Sequence, residues 1–143
     1  MQFTHVLADL LVSGKTVRFT APGHSMHPVI RHGDVLLVAP LKHLARIGDI
    51  LLYLACGRPV AHRLIAVESE GNDAVLLLKG DSAAFPDLPV RPDQMLGRVF
   101  AVERRGRRID PYSSWTAACC LPRKMASGIK SAFFDKLSEE GSQ

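Results

Sequence analysis

The sequence is poor in cysteine. Its three cysteines, Cys56, Cys119 and Cys120, are odd in number and two are adjacent. That excludes a disulfide framework and points to a reducing compartment. No run of about 18 apolar residues occurs, the length that a membrane-spanning helix needs. No basic stretch followed by an apolar one opens the chain, so no signal peptide is predicted. Neither sign of charge dominates. Lys and Arg number 18 against 14 Asp and Glu, a net charge of +4. So mild an excess favours acidic surfaces, such as lipid headgroups or nucleic acid, without assigning either. Internal repeats and a domain boundary are also missing. His24, His27 and His32 lie close together, but their spacing matches no zinc pattern and no cysteine accompanies them. They read as solvated or substrate-facing, and no metal or cofactor is expected. The absences together predict a soluble, cytoplasmic chain.

What is present fits one domain of 143 residues, 47% hydrophobic and 22% charged, long enough for a real core. Its 11 Gly and 9 Pro predict many turns and many short strands. Residues 3–13 place Phe3, Val6, Leu7, Leu10 and Leu11 at helical spacing, with Gly14 as a stop. This predicts an amphipathic helix whose apolar stripe docks on the rest. Residues 16–21 alternate and are rich in β-branched side chains, so they read as a strand. Further strands are predicted at 35–38, 50–55, 60–67 and 74–78, and a hairpin at 97–110 around Arg105-Gly106. Residues 79–94 hold three prolines and form a long loop, a length that in compact domains is functional or disordered. The predicted layout is an N-terminal helix in 1–15, a β core in 16–110 and a helical region in 111–143. Ser113 or Ser114 is its candidate cap. After Pro122, the residues Met125, Ile129, Phe133 and Leu137 recur at i, i+4 beside Lys124, Lys130 and Lys136. That is a basic amphipathic helix, read as a packing or partner face, with contact to a membrane surface as the sharper reading. Arg104, Arg105, Arg107 and Arg108 read as a solvated hairpin tip, with a phosphate or lipid contact as the sharper alternative. Cys119-Cys120 reads as helix packing.

The densest stretch is 22–34, Pro-Gly-His-Ser-Met-His-Pro-Val-Ile-Arg-His-Gly-Asp. A serine hydroxyl is a weak nucleophile until a base takes its proton. It must also stand next to N–H groups that can hold an oxyanion. Gly23 lets backbone approach a substrate closely, Pro28 stiffens the turn, and Met26 is expected to point inward as an anchor. The stretch can therefore present Ser25 rigidly, as a nucleophile or as a plain turn serine. By itself His62, in an apolar strand, reads as a core histidine. Asp81 and Asp87, in a Gly/Pro loop, read as Asx-turn residues.

Gly-His-Ser-Met-His-Pro with Gly33-Asp34 resembles the catalytic box of the signal peptidase I and LexA-like serine peptidases. Four further segments match in order. Gly48-Asp49-Ile50 through Tyr53 resembles the family's Gly-Asp strand. Val60-Ala61-His62-Arg63-Leu64-Ile65 resembles the strand that carries the general base. Lys79-Gly80-Asp81, with Asp87 six residues later, resembles the late Gly-Asp box. Gly97-Arg98-Val99 resembles the closing strand. The resemblance covers about residues 16–102. It implies a mainly β fold of coiled antiparallel sheets with a small SH3-like barrel, plus short N- and C-terminal helices. It also implies a serine endopeptidase that cuts a leader or precursor peptide through an acyl-enzyme.

By position, Ser25 matches the nucleophile. His62 stands at the base position, as in the endoplasmic-reticulum and archaeal enzymes, where bacterial members have lysine. Asp87 matches the carboxylate that orients the base, with Asp81 as second choice or as a brace of the site. The Ser25 amide would be one oxyanion donor. Gly23 stands where many members have a second donor serine. The only Cys-Gly is Cys56-Gly57, downstream of Ser25, so LexA-like self-cleavage is not expected. The partner implied is a peptide or precursor-protein substrate rather than nucleic acid, and no oligomeric state is implied. Two other readings stay open: a catalytically silent peptide-binding module, and a LexA-like regulatory protein.

Overall fold

A computed structural model describes residues 2–42 and 44–113. Of the predicted C-terminal helical region only 111–113, a turn, falls within this range. The basic helix, Ser114 and Cys119-Cys120 lie outside the described residues.

Helix α1, Gln2–Val12, ends as Gly14 foretells. The Gly14 N–H donates to the Leu11 carbonyl and the Lys15 N–H to the Leu10 carbonyl, the paired closure of a Schellman cap. The buried stripe is narrower than predicted. Leu7 and Leu11, one turn apart, enter the core and Leu10 packs against it. Phe3 and Val6 stay largely exposed, because the sheet meets only the Leu7–Leu11 side.

Seven strands follow: β1 Val17–Thr20, β2 Val35–Pro40, β3 Ile50–Ala55, β4 Arg58–Glu70, β5 Asp73–Lys79, β6 Met95–Arg104 and β7 Arg107–Ile109. They form one antiparallel sheet in the order β1-β2-β6-β3-β4-β5, with β7 on β6. The fold is mainly β, as expected. The tight turns Cys56-Gly57 and Arg105-Gly106 both carry positive φ at each residue, the geometry whose twist suits two-residue hairpins.

β3 explains its own continuous apolar run. Ile50 and Leu52 enter a core shared with α1, β1, β2 and the 22–34 stretch. Leu51 and Tyr53 enter a second core with Leu64, Leu76, Leu78 and Val90. A strand buried on both faces needs no alternation of polar and apolar residues. The predicted loop at 79–94 is more ordered than its prolines suggest. Leu76 and Val90 exchange both backbone hydrogen bonds, and the Asp87 N–H donates to the Leu78 carbonyl at 2.7 Å. The chain therefore doubles back along the outer edge of β5, then makes a short 3-10 helix at Pro92–Gln94. Tyr112 ties the end of the described chain to the sheet. Its hydroxyl donates to the Val99 carbonyl and accepts from the Ile50 N–H, and its ring lies 4.4 Å from the Arg98 guanidinium. Burial pushes its phenol up to about 12.

Candidate active site

The 22–34 stretch is a closed loop. Its ends are tied by the Ala21 N–H to the Asp34 carbonyl and by the Gly33 N–H to the Ala21 carbonyl. The buried Asp34 carboxylate accepts the Arg31 amide at 2.8 Å and two bonds from Arg104. Burial alone would raise the Asp34 carboxyl, but Arg104 and the Arg31 amide outweigh it and hold it below the usual carboxylate range. Arg104 is thus a brace of the loop and not part of a solvated tip, a pairing across 70 residues that local sequence cannot show. Met26 points inward as expected, and its sulfur accepts the Asp81 N–H at 3.3 Å.

This frame leaves Ser25 exposed. Its Oγ lies 3.0 Å from His62 Nε2. The other ring nitrogen, Nδ1, meets Asp87 Oδ2 in a close contact. Three segments far apart in sequence therefore place a hydroxyl, an imidazole and a carboxylate in line. The doubling back of 87–90 along β5 is what carries Asp87 to β4.

Asp81 goes elsewhere. Its two oxygens accept Nε and a terminal nitrogen of Arg63, each at 2.8 Å, and Arg63 also donates to the Gly48 carbonyl. Of the two aspartates, the structure sets Asp87 on the histidine and Asp81 on its neighbour Arg63. Gly23 lines the same cavity as Ser25 and His62, and its N–H donates to His32 Nδ1 at 2.9 Å. Among the described residues no group of three or more His, Cys, Asp or Glu gathers as a metal site.

The back of the serine turn rests on residues 80–82. The Ser82 N–H donates to the Ser25 carbonyl and the Ser82 hydroxyl to the His24 carbonyl. A Cβ on Gly80 would stand 2.6 Å from the Ser25 carbonyl oxygen, closer than backbone tolerates, so only glycine fits. Gly80→Ala is expected to push the serine turn outward. A displacement of about 1 Å lowers reactivity by about 100-fold. The rate of Ser25 modification by a serine-reactive probe measures this, and an unchanged rate would show that the contact does not position Ser25.

In front of Ser25 and His62 opens a cavity of about 460 Å³. Its walls are mainly apolar, from Phe19, Met26, Ile30, Leu36 and Val60, with Arg58 at one side.

No family model matches the chain. Curated relatives do. The signal peptidase complex catalytic subunit SEC11 of Candida albicans is 28% identical over 99 residues, 62% of this chain and 60% of that protein. The subunit of the same name from Scheffersomyces stipitis is 36% identical over 66 residues, 45% of this chain and 40% of that one. That from Yarrowia lipolytica is 35% identical over 66 residues, 45% and 38% of the two chains. The chain is thus similar, at modest identity, to catalytic subunits of the signal peptidase complex. It spans about 60% or less of the length of these relatives.

Two residues of this site carry no clear signal in the sequence. Arg63 is fully buried, although its only sequence signal was a charge inside an apolar strand. Tyr53, also buried, donates its hydroxyl to Asp87 Oδ2. Its signal was a single hydroxyl in the apolar run of β3.

Proposed function

We propose that the chain is a serine endopeptidase of the signal peptidase I type, which cuts a leader or precursor peptide through an acyl-enzyme. The observation that carries this reading is the 3.0 Å approach of Ser25 Oγ to His62 Nε2, with Asp87 on the other ring nitrogen. Ser25 Oγ attacks the scissile carbonyl carbon while His62 Nε2 takes its proton. The negative charge falls on the carbonyl oxygen, for which the Ser25 amide is one donor. His62 then gives its proton to the leaving amine, and Ser25 holds the acyl group as an ester. Water enters, His62 takes one of its protons, and the hydroxide equivalent attacks the ester carbon. The acid product leaves and the proton returns to Ser25. Asp87 keeps Nδ1 protonated, so that Nε2 is the free base.

The substrate would lie extended. β4 pairs with β5 only from Arg63 onward, while residues 58–62 pair with β3 alone. The other edge of 58–62 flanks the cavity, where a peptide main chain can add as a strand. The apolar walls would receive its side chains. The relatives are named as subunits of a signal peptidase complex. By that likeness the chain acts on a precursor beside partner subunits. The expected cytoplasmic location rested on absent features alone. Among the described residues no helix is long and apolar enough to cross a membrane.

A fluorophosphonate probe tests the reading. It is expected to modify the wild-type chain once, at Ser25, and to leave Ser25→Ala unmodified. A wild-type chain left unmodified at every pH would favour the silent peptide-binding module.

A further inference from the structure

Tyr53 carries the hydroxyl of an otherwise apolar strand, Ile-Leu-Leu-Tyr-Leu-Ala. Its ring belongs to the core that holds Leu51, Leu64 and Leu78. Phenylalanine would fill the same space with no polar atom to satisfy, so a buried phenol calls for a partner. The partner is Asp87 Oδ2, the same oxygen that meets His62 Nδ1. Strand register makes this meeting rigid. Tyr53 stands opposite Val60 and Leu51 opposite His62, so Tyr53 and His62 share one face of the β3–β4 pair, one diagonal apart. Their rings meet edge-on, with centroids 6.4 Å apart and planes at 70°.

Asp87 sits between Pro86 and Pro89 in the returning loop, and its side chain is 28% exposed. The Asp87 N–H bond to Leu78 fixes its backbone, but leaves the carboxylate free to turn about its side-chain torsions. A donor from a different and rigid element removes that freedom.

We propose that Tyr53 is a positioning residue: from β3 its hydroxyl aims the Asp87 carboxylate at His62 Nδ1 and shares the negative charge that the imidazole faces. This rests on the Ser25–His62–Asp87 reading above, yet it has an observable of its own. The phenol suits the task. Burial, and then the bond to and charge of Asp87, push its pKa far above the usual tyrosine range. It therefore stays a donor wherever a histidine base works.

The groups that face His62 are Asp87 from the loop, Tyr53 from β3, Ser25 from the turn and Arg58, which shares the cavity. Removing the Tyr53 hydroxyl leaves the Asp87 charge undivided toward the imidazole. The protonated ring is then favoured, so His62 should titrate at higher pH.

Tyr53→Phe keeps the ring and its packing, and two measurements on the full chain decide the matter. In the first, ¹⁵N NMR follows the His62 ring through a pH titration. The expected result is a higher midpoint in Tyr53→Phe than in wild type. An unchanged midpoint overturns the proposal, since a purely packing role would leave it in place. The second is the rate of Ser25 acylation by the fluorophosphonate. It should fall about tenfold or more in Tyr53→Phe, and show no further fall when Tyr53→Phe is added to Asp87→Ala. Equal falls in both backgrounds would mean that the hydroxyl acts without Asp87, and would also overturn the proposal. If wild type is not acylated at all, the peptidase reading fails, while the titration still decides the role of Tyr53.

Discussion

His62→Ala is expected to slow acylation of Ser25 by about 10⁵-fold or more, and Asp87→Asn by about 10⁴-fold. Both variants should fold. The His62 ring lines an open cavity, and Asp87 lies partly exposed in a loop. The two losses should not multiply. Once His62 is gone, Asp87 has no ring to orient, so His62→Ala/Asp87→Asn should react about as slowly as His62→Ala alone. Asp87→Asn acts differently from loss of the base. An amide in place of the carboxylate can donate to Nδ1, which favours the tautomer with its proton on Nε2, facing Ser25 Oγ. The variant retains a base of the wrong tautomer. The measurement is the second-order rate of covalent modification, followed by mass, on chains whose melting temperatures match wild type. Full activity in His62→Ala would sink the assignment of the base, whatever the geometry.

Much of this site was legible in residue order, for a physical reason. Turn chemistry is local: Pro22, Gly23, Pro28 and Gly33 mark the 22–34 loop within a few residues. The strand at Ile50–Ala55 was legible to the residue, because an apolar run bounded by Gly48-Asp49 and Cys56-Gly57 leaves few choices. What stayed hidden was pairing across the chain. Arg104 reads as one of four tip arginines until β6 is seen beside β2, which brings it to Asp34. The helix stripe was overcalled at Phe3 and Val6 because periodicity shows which residues share a face, but not how much of that face a sheet covers. Asp87 ranks ahead of Asp81 in the sequence only by the resemblance, for the same reason. Both sit in one Gly/Pro loop, and the choice between them depends on the return of 87–90 along β5.

That choice leads to the second large effect. Asp81→Ala is expected to unfold the domain more easily, whereas Asp87→Asn should not. Arg63 is 1% exposed and Asp81 7%, and they are joined by two parallel bonds. Removing the carboxylate takes a bidentate charged partner from a buried guanidinium, a loss of about 3–5 kcal/mol. For a domain of this size the melting temperature should drop by about 10 °C. The bond from Arg63 to the Gly48 carbonyl satisfies one donor, but supplies no opposite charge. Replacing both partners with apolar residues of similar volume, as in Arg63→Met/Asp81→Leu, should be less damaging than Asp81→Ala alone, because both charges of the pair are then removed together. Activity should fall with stability here. The Asp81 N–H holds Met26, and its neighbours Gly80 and Ser82 press on Ser25. Thermal melting of the two aspartate variants side by side separates a carboxylate that acts on the histidine from one that holds up the fold. If Asp81→Ala melts with wild type, the buried pair is not what supports the serine turn.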